Sequence, residues 1–171
     1  MRNIDTGTPG RRVATLALLT ALSMIFSYVE ALIPLPIPFP GIKLGLANLV
    51  TVTGFYLLPP GDVFCVSVLR ILLGSLLFGN ALKLSFSLAG GLLSFFVMLL
   101  VKKTGLFSVY GLSMSGGYAH NIGQIAAAVL TVNTPGLFYY LPYLLISGVL
   151  TGFLIGFIAS RLLPVLEKIR F

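Results

Sequence analysis

The sequence predicts an all-α fold, an integral membrane bundle of about six transmembrane helices in one domain. Three observations carry that prediction. Hydrophobic residues make up 57 % of the chain against 9 % charged, with a mean hydropathy of +1.05; lipid solvates such a balance and water does not. The eleven basic and four acidic residues fall mostly in the gaps between long apolar runs. The length of 171 residues fits about six spans at roughly 20 residues each plus short connections.

The elements follow in order. A polar N-terminal segment, 1–12, precedes span one at about 13–33. Arg11-Arg12 before an apolar run resembles the start of a signal peptide, but the run is long. Pro34-Leu35-Pro36 follows it rather than a small-residue cleavage site, so a retained helix is expected. Pro34–Gly41 holds four prolines in seven residues and reads as a stiff, extended loop. Span two, about 43–58, ends at Pro59-Pro60-Gly61. Span three is about 62–79. Span four is about 84–101, closed by Lys102-Lys103. Residues 104–113 read as a connection or interfacial piece. Span five, about 115–132, ends at Asn133-Thr134-Pro135-Gly136. Span six is about 138–163, with Pro142 near its start and Pro164 past its end. The transmembrane domain is thus 13–163, followed by a tail, 164–171.

Basic residues orient the bundle. With the N-terminus inside, one side holds Arg2, Arg11, Arg12, Lys102, Lys103, Arg161, Lys168 and Arg170, and the other only Lys43 and Lys83. Both termini are therefore expected in the cytoplasm of a bacterial cell whose plasma membrane the chain crosses several times. The net charge of +7 does not point to nucleic acid, because the basic residues form no stripe with interleaved aromatics. The single cysteine, Cys65, excludes an internal disulfide framework and a cysteine-only metal site. Its apolar surroundings predict an inert buried thiol.

Two spans carry small residues on one face: Gly148, Gly152, Gly156 and Ser160 on span six, Ala17 and Ala21 on span one. Such faces let helix backbones approach closely where lipid removes the hydrophobic drive. They serve either packing within the bundle or docking of another membrane subunit.

Polar residues inside apolar runs are costly and so are the candidates for function. At about 1.5 Å per residue, Arg70 lies roughly 12 Å into span three. Asn48 in span two and Asn121 and Gln124 in span five fall at a similar depth, with His120 level with them. His120 and Gln124, four apart, share a helix face. This layer is either a hydrogen-bond network tying spans two, three and five together or the lining of a ligand site. No acid lies at the level of Arg70, which favours a ligand or a water-filled cavity. A second group, Glu30, Lys43, Asn80 and Lys83, lies nearer the outer side. Both lysines also suit an interfacial snorkelling role. Glu30 sits roughly 13 Å above Arg70 by the same rise, so Lys43 is its nearer candidate partner.

Several chemistries are excluded. The sequence has no phosphate-binding Walker loop and no credible nucleophile–base pair. The acids Asp5, Glu30, Asp62 and Glu167 are dispersed, whereas prenyl diphosphate synthesis needs clustered aspartates to hold Mg²⁺ on diphosphate. No enzyme activity, metal site or cofactor is expected in this chain. Repeated filter elements of a channel are also missing.

Four blocks carry a resemblance: Gly41-Ile-Lys-Leu-Gly-Leu-Ala-Asn48-Leu-Val-Thr, Leu69-Arg-Ile-Leu-Leu-Gly-Ser-Leu-Leu-Phe-Gly79, Phe86-Ser-Leu-Ala-Gly-Gly-Leu-Leu-Ser94 and Ala119-His-Asn-Ile-Gly-Gln124. Over nearly its whole length the chain resembles the Gx transporter family, also labelled heptaprenyl diphosphate synthase component I. That family is similar to the substrate-binding S components of energy-coupling factor (ECF) transporters. The resemblance implies six helices and a solute site toward the outer side beneath the first loop, here Pro34–Gly41. It also implies docking through helix one, here Ala17 and Ala21. The partners implied are a coupling membrane subunit and a cytoplasmic ATPase pair, which would use the ATP and Mg. The ligand expected is a small or amphiphilic anionic solute. Arg70, Lys43 and Lys83 would favour its charge, Asn48, His120, Asn121 and Gln124 would hydrogen-bond it, and Glu30 would balance charge. The alternative is a non-catalytic membrane partner in isoprenoid or quinone synthesis that holds a polyprenyl lipid or anchors a soluble synthase.

Overall fold

A computed structural model describes residues 8–32 and 44–168. It is helical throughout, with no strand among those residues: α1 (Pro9–Leu32), α2 (Asn48–Leu57), α3 (Pro60–Phe78), α4 (Ala81–Thr104), α5 (Val109–Val132) and α6 (Leu141–Lys168). A 3₁₀ segment, Pro135–Tyr140, leads into α6. Four segments are long and apolar enough to cross a membrane: α1, α3, α4 and the run Pro135–Lys168. The chain is therefore a multi-pass membrane protein of the predicted all-α class. The Pro34–Gly41 loop and Lys43 lie outside the described residues.

Local chemistry sets the helix ends. Pro60 opens α3 where its missing N–H costs nothing. The Asn80 side chain caps α4, accepting from the Lys83 N–H at 2.8 Å. Gly105 closes α4 in the left-handed conformation (φ 69°), and Asn133 closes α5 in the same region. Asn80, grouped from its position with the outer polar residues, thus serves as a helix cap.

The largest departure from expectation is α2. Predicted over 43–58, it becomes helical only at Asn48, because Gly45 turns the chain at φ +76°. Ten residues rise about 15 Å, half of a roughly 30 Å hydrocarbon layer. That half-helix is buried almost from end to end, Leu49 to Tyr56. It forms the centre of a core with Val63, Phe95, Met98, Leu112, Ile155, Ala159 and Leu163. The Phe95 ring meets Phe55 in a tilted contact at 5.2 Å and Phe64 edge-on at 5.1 Å.

The other helices surround it. Helix α5 packs between α4 and α6, α3 bridges α1 and α4, and α2 touches α1, α3, α5 and α6. One end of the bundle is marked by charge. Arg12 of α1 donates through Nε to both oxygens of Asp62 in the first turn of α3, at 2.9 and 3.2 Å. Asp62 is 1 % exposed. At the same end the Lys102 ammonium lies 3.0 Å from the centroid of the Tyr56 ring.

Smaller corrections follow the same physics. Helix α5 begins at Val109 with Ser108 as its cap, so it absorbs much of the predicted 104–113 connection. Helix α6 runs through Pro164 to Lys168; so near the C-terminus a proline removes a single intrahelical bond without ending the helix. Cys65 is exposed rather than buried. It shares with Leu69, Leu73 and Leu76 the outward face of α3, the face lipid would cover. The span-six stripe proves to be internal packing. A Cβ on Gly152 would lie 2.8 Å from Met114 Cα, and one on Gly156 would lie 2.9 Å from Tyr110 Cα. The Ser160 and Tyr110 hydroxyls continue the seam at 3.0 Å. Ala17 and Ala21, in contrast, are exposed.

Candidate functional site

A half-length α2 leaves the other half of the bundle axis unfilled. A cavity of about 350 Å³ occupies that space. Its walls come from the Leu32 end of α1, the turn before α2, the middle of α3, the start of α4, and the middles of α5 and α6.

Of the eight residues predicted to bind solute, seven line this one cavity: Glu30, Asn48, Arg70, Lys83, His120, Asn121 and Gln124. The eighth, Lys43, lies outside the described residues. Glu30 and Lys83 of the outer depth group thus share one chamber with the deeper layer of Asn48, Arg70, His120, Asn121 and Gln124, while Asn80 does not line it.

Arg70 stands about 15 Å along α3 from Pro60. Its Nη2 donates to Asn48 Oδ1 at 3.0 Å, joining α3 to the first residue of α2. Its Nε is buried and has no hydrogen-bond partner among the described residues. Lys43, the candidate partner of Glu30 from the sequence, lies outside the described residues; Glu30 is held by backbone donors. Its two carboxylate oxygens accept from the backbone N–H groups of Gly45 (2.8 Å) and Leu46 (3.1 Å). The end of α1 is thereby tied to the turn that starts α2, with the carboxylate at the positive end of the helix.

Asn121 is the most enclosed of the set. Its Nδ2 donates to the carbonyl oxygen of Leu144 in α6. It fits because Gly117 and Gly148 have no side chains. A Cβ on Gly148 would lie 2.6 Å from Asn121 Nδ2 and 2.7 Å from the Gly117 oxygen. Asn121 therefore helps hold α5 against α6 as well as lining the chamber. His120 is seated by Gly90 of α4, where a Cβ would lie 2.7 Å from the His120 carbonyl oxygen and 3.0 Å from its ring.

Sequence reasoning missed a set of small hydroxyl residues in the walls: Ser27 on α1, Ser75 on α3, Ser87 on α4, and Ser147 and Thr151 on α6. Ser147 and Thr151 flank Gly148 at helical spacing, which was a usable signal. The others look like ordinary packing residues until the cavity is known. Among the described residues, no three His, Cys, Asp or Glu side chains come together to hold a metal ion.

A family model described as heptaprenyl diphosphate synthase component I matches residues 19–162. The chain belongs to that family. The match runs from α1 to α6 and so contains every described residue of the cavity singled out above. The name component I denotes one part of an assembly, and a partner subunit goes with it. No curated protein and no solved structure matches the chain.

Proposed function

We propose that this chain is the solute-binding membrane subunit of an ECF-type transporter, akin to an S component. Its ligand is a small or amphiphilic anionic solute, and the energy comes from partners. The observation that carries this reading is convergence. Seven polar residues, spread from Glu30 to Gln124, meet in one chamber of a bundle whose outer faces are apolar. Polar side chains at membrane depth are costly, and a ligand or water chamber is what gives them a use. A half-helix that starts at mid-depth beside a charged residue is also how many membrane transporters build their sites.

The chain binds and does not catalyse. Glu30, Asp62 and Glu167 lie on different helices, and Asp62 is committed to Arg12. Ala17 and Ala21, exposed on α1 beside Leu18 and Leu22, form the face for a coupling membrane subunit. A cytoplasmic ATPase pair supplies ATP turnover with Mg. The Arg12, Asp62 and Lys102 end faces the cytoplasm, with both termini, in the plasma membrane of a bacterium.

A second reading follows the family description: a membrane component that serves a prenyl synthase. The charged side chains in the chamber lining, Arg70, Lys83 and Glu30, weigh against storage of the polyprenyl product there, because a hydrocarbon chain offers charge no solvation. An anchoring role for a soluble synthase stays compatible with it.

Affinity capture of the gently solubilised protein separates the readings. Transport predicts an ATPase pair and a coupling membrane protein in the eluate. A soluble prenyl synthase with no ATPase would overturn it.

A further inference from the structure

The cavity is not indifferent to the kind of anion it takes. Building on the solute-binding reading above, we infer that it recognises a singly charged carboxylate and rejects phosphate and diphosphate groups.

Three observations support this. The first is charge. Among the described lining residues, Arg70 and Lys83 are cationic and Glu30 is anionic. A ligand of one negative charge balances that described set. A diphosphate would leave charge uncompensated where desolvation makes it costly.

The second is the state of the backbone donors. Phosphate sites use several free N–H groups at a helix N-terminus. Here the N–H groups of Gly45 and Leu46 already donate to Glu30. Those of Asn48 and Leu49 donate to the carbonyls of Gly45 and Leu46 at 2.8 and 3.1 Å. The protein's own carboxylate occupies the seat a phosphate would need, leaving a side-chain site rather than a backbone cradle.

The third is Arg70. Asn48 Oδ1 fixes its Nη2 at 3.0 Å, while its Nε is buried without an acceptor among the described residues. A planar guanidinium held on one side with an unsatisfied N–H suits one planar carboxylate. The hydroxyls of Ser75, Ser147 and Thr151 and the amide of Gln124 then meet the polar body of the solute. A volume of about 350 Å³ suits a compact molecule.

The test uses the full-length protein in detergent micelles and phosphate-free buffer at fixed ionic strength. Its thermal midpoint is followed against benzoate, its neutral isostere benzamide, inorganic phosphate and pyrophosphate. Benzoate should give a saturable rise that benzamide, phosphate and pyrophosphate do not. Arg70→Ala should weaken that response at least about tenfold, the loss expected for one charge-assisted hydrogen bond. Glu30→Gln raises the cavity charge and weakens the hold on the Gly45 and Leu46 donors, so a pyrophosphate response should appear. A saturable wild-type response to pyrophosphate as large as that to benzoate overturns the carboxylate assignment while leaving solute binding intact. An equal benzoate response in wild type and Arg70→Ala, or none in wild type, also overturns it. Neither result touches the broader reading, which a molecule retained through purification tests separately.

Discussion

Glu30 and Arg70 are the two side chains on which the chamber is built, and each does more than contribute charge. Glu30 caps the turn that begins α2. Replacing it with alanine removes two charge-assisted hydrogen bonds, each worth about 1.5–3 kcal/mol. Glu30→Ala should therefore speed amide hydrogen exchange at Gly45 and Leu46 well above exchange in the α2 core at Val52. Unchanged protection at those two amides would contradict the capping role. Arg70 was legible in the sequence because an arginine inside an apolar run is costly in lipid. Its neighbours Asn48, His120, Asn121 and Gln124 were legible from depth and helical spacing. Glu30's actual partners were not, since backbone N–H groups carry no side-chain signature. Nor were the wall serines, which read equally well as packing residues in any helix.

At the scale of elements, the glycines of α6 and the length of α2 decide the shape. Gly152 faces α5 so closely that a Cβ would lie 2.8 Å from both Met114 Cα and the Ser113 oxygen. Gly152→Ala must push two helices apart, at a cost of about 1–3 kcal/mol. Gly61, in the first turn of α3, meets nothing. Gly61→Ala should be neutral or stabilising by up to about 1 kcal/mol. The thermal midpoint should fall for Gly152→Ala and hold or rise for Gly61→Ala, and a Gly152→Ala protein as stable as wild type would refute the close seam. Of the six helices, α1, α3 and α4 were readable from apolar run length to within a few residues, whereas α5 starts early and α6 ends late. The half-length of α2 was not readable. Its apolar run is continuous from Leu44 toward Leu58, and only the left-handed Gly45 interrupts the helix. A glycine in an apolar run is as often packing as punctuation.

For the whole molecule, the short α2 divides the bundle into a packed half and a hollow half. The packed half carries the Phe55, Phe64 and Phe95 cluster and is closed by Arg12 with Asp62 and Lys102 over Tyr56. The hollow half carries the chamber and ends in the exposed aromatics Phe138, Tyr139, Tyr140 and Tyr143, suited to a membrane–water interface. The positive-inside reading puts the packed half toward the cytoplasm. In a Cys65→Ser background, Thr134→Cys should react with an impermeant maleimide on intact cells, and Glu167→Cys only after permeabilisation. The reverse pattern would invert the bundle.

The central claim is that the chamber holds a small solute through Arg70. Native mass spectrometry of the gently purified protein addresses it most directly. Wild type should carry a retained small molecule of a mass the 350 Å³ cavity can enclose, and folded Arg70→Ala protein should lack it. The same adduct on both proteins, or a polyprenyl lipid as the bound species, would contradict it.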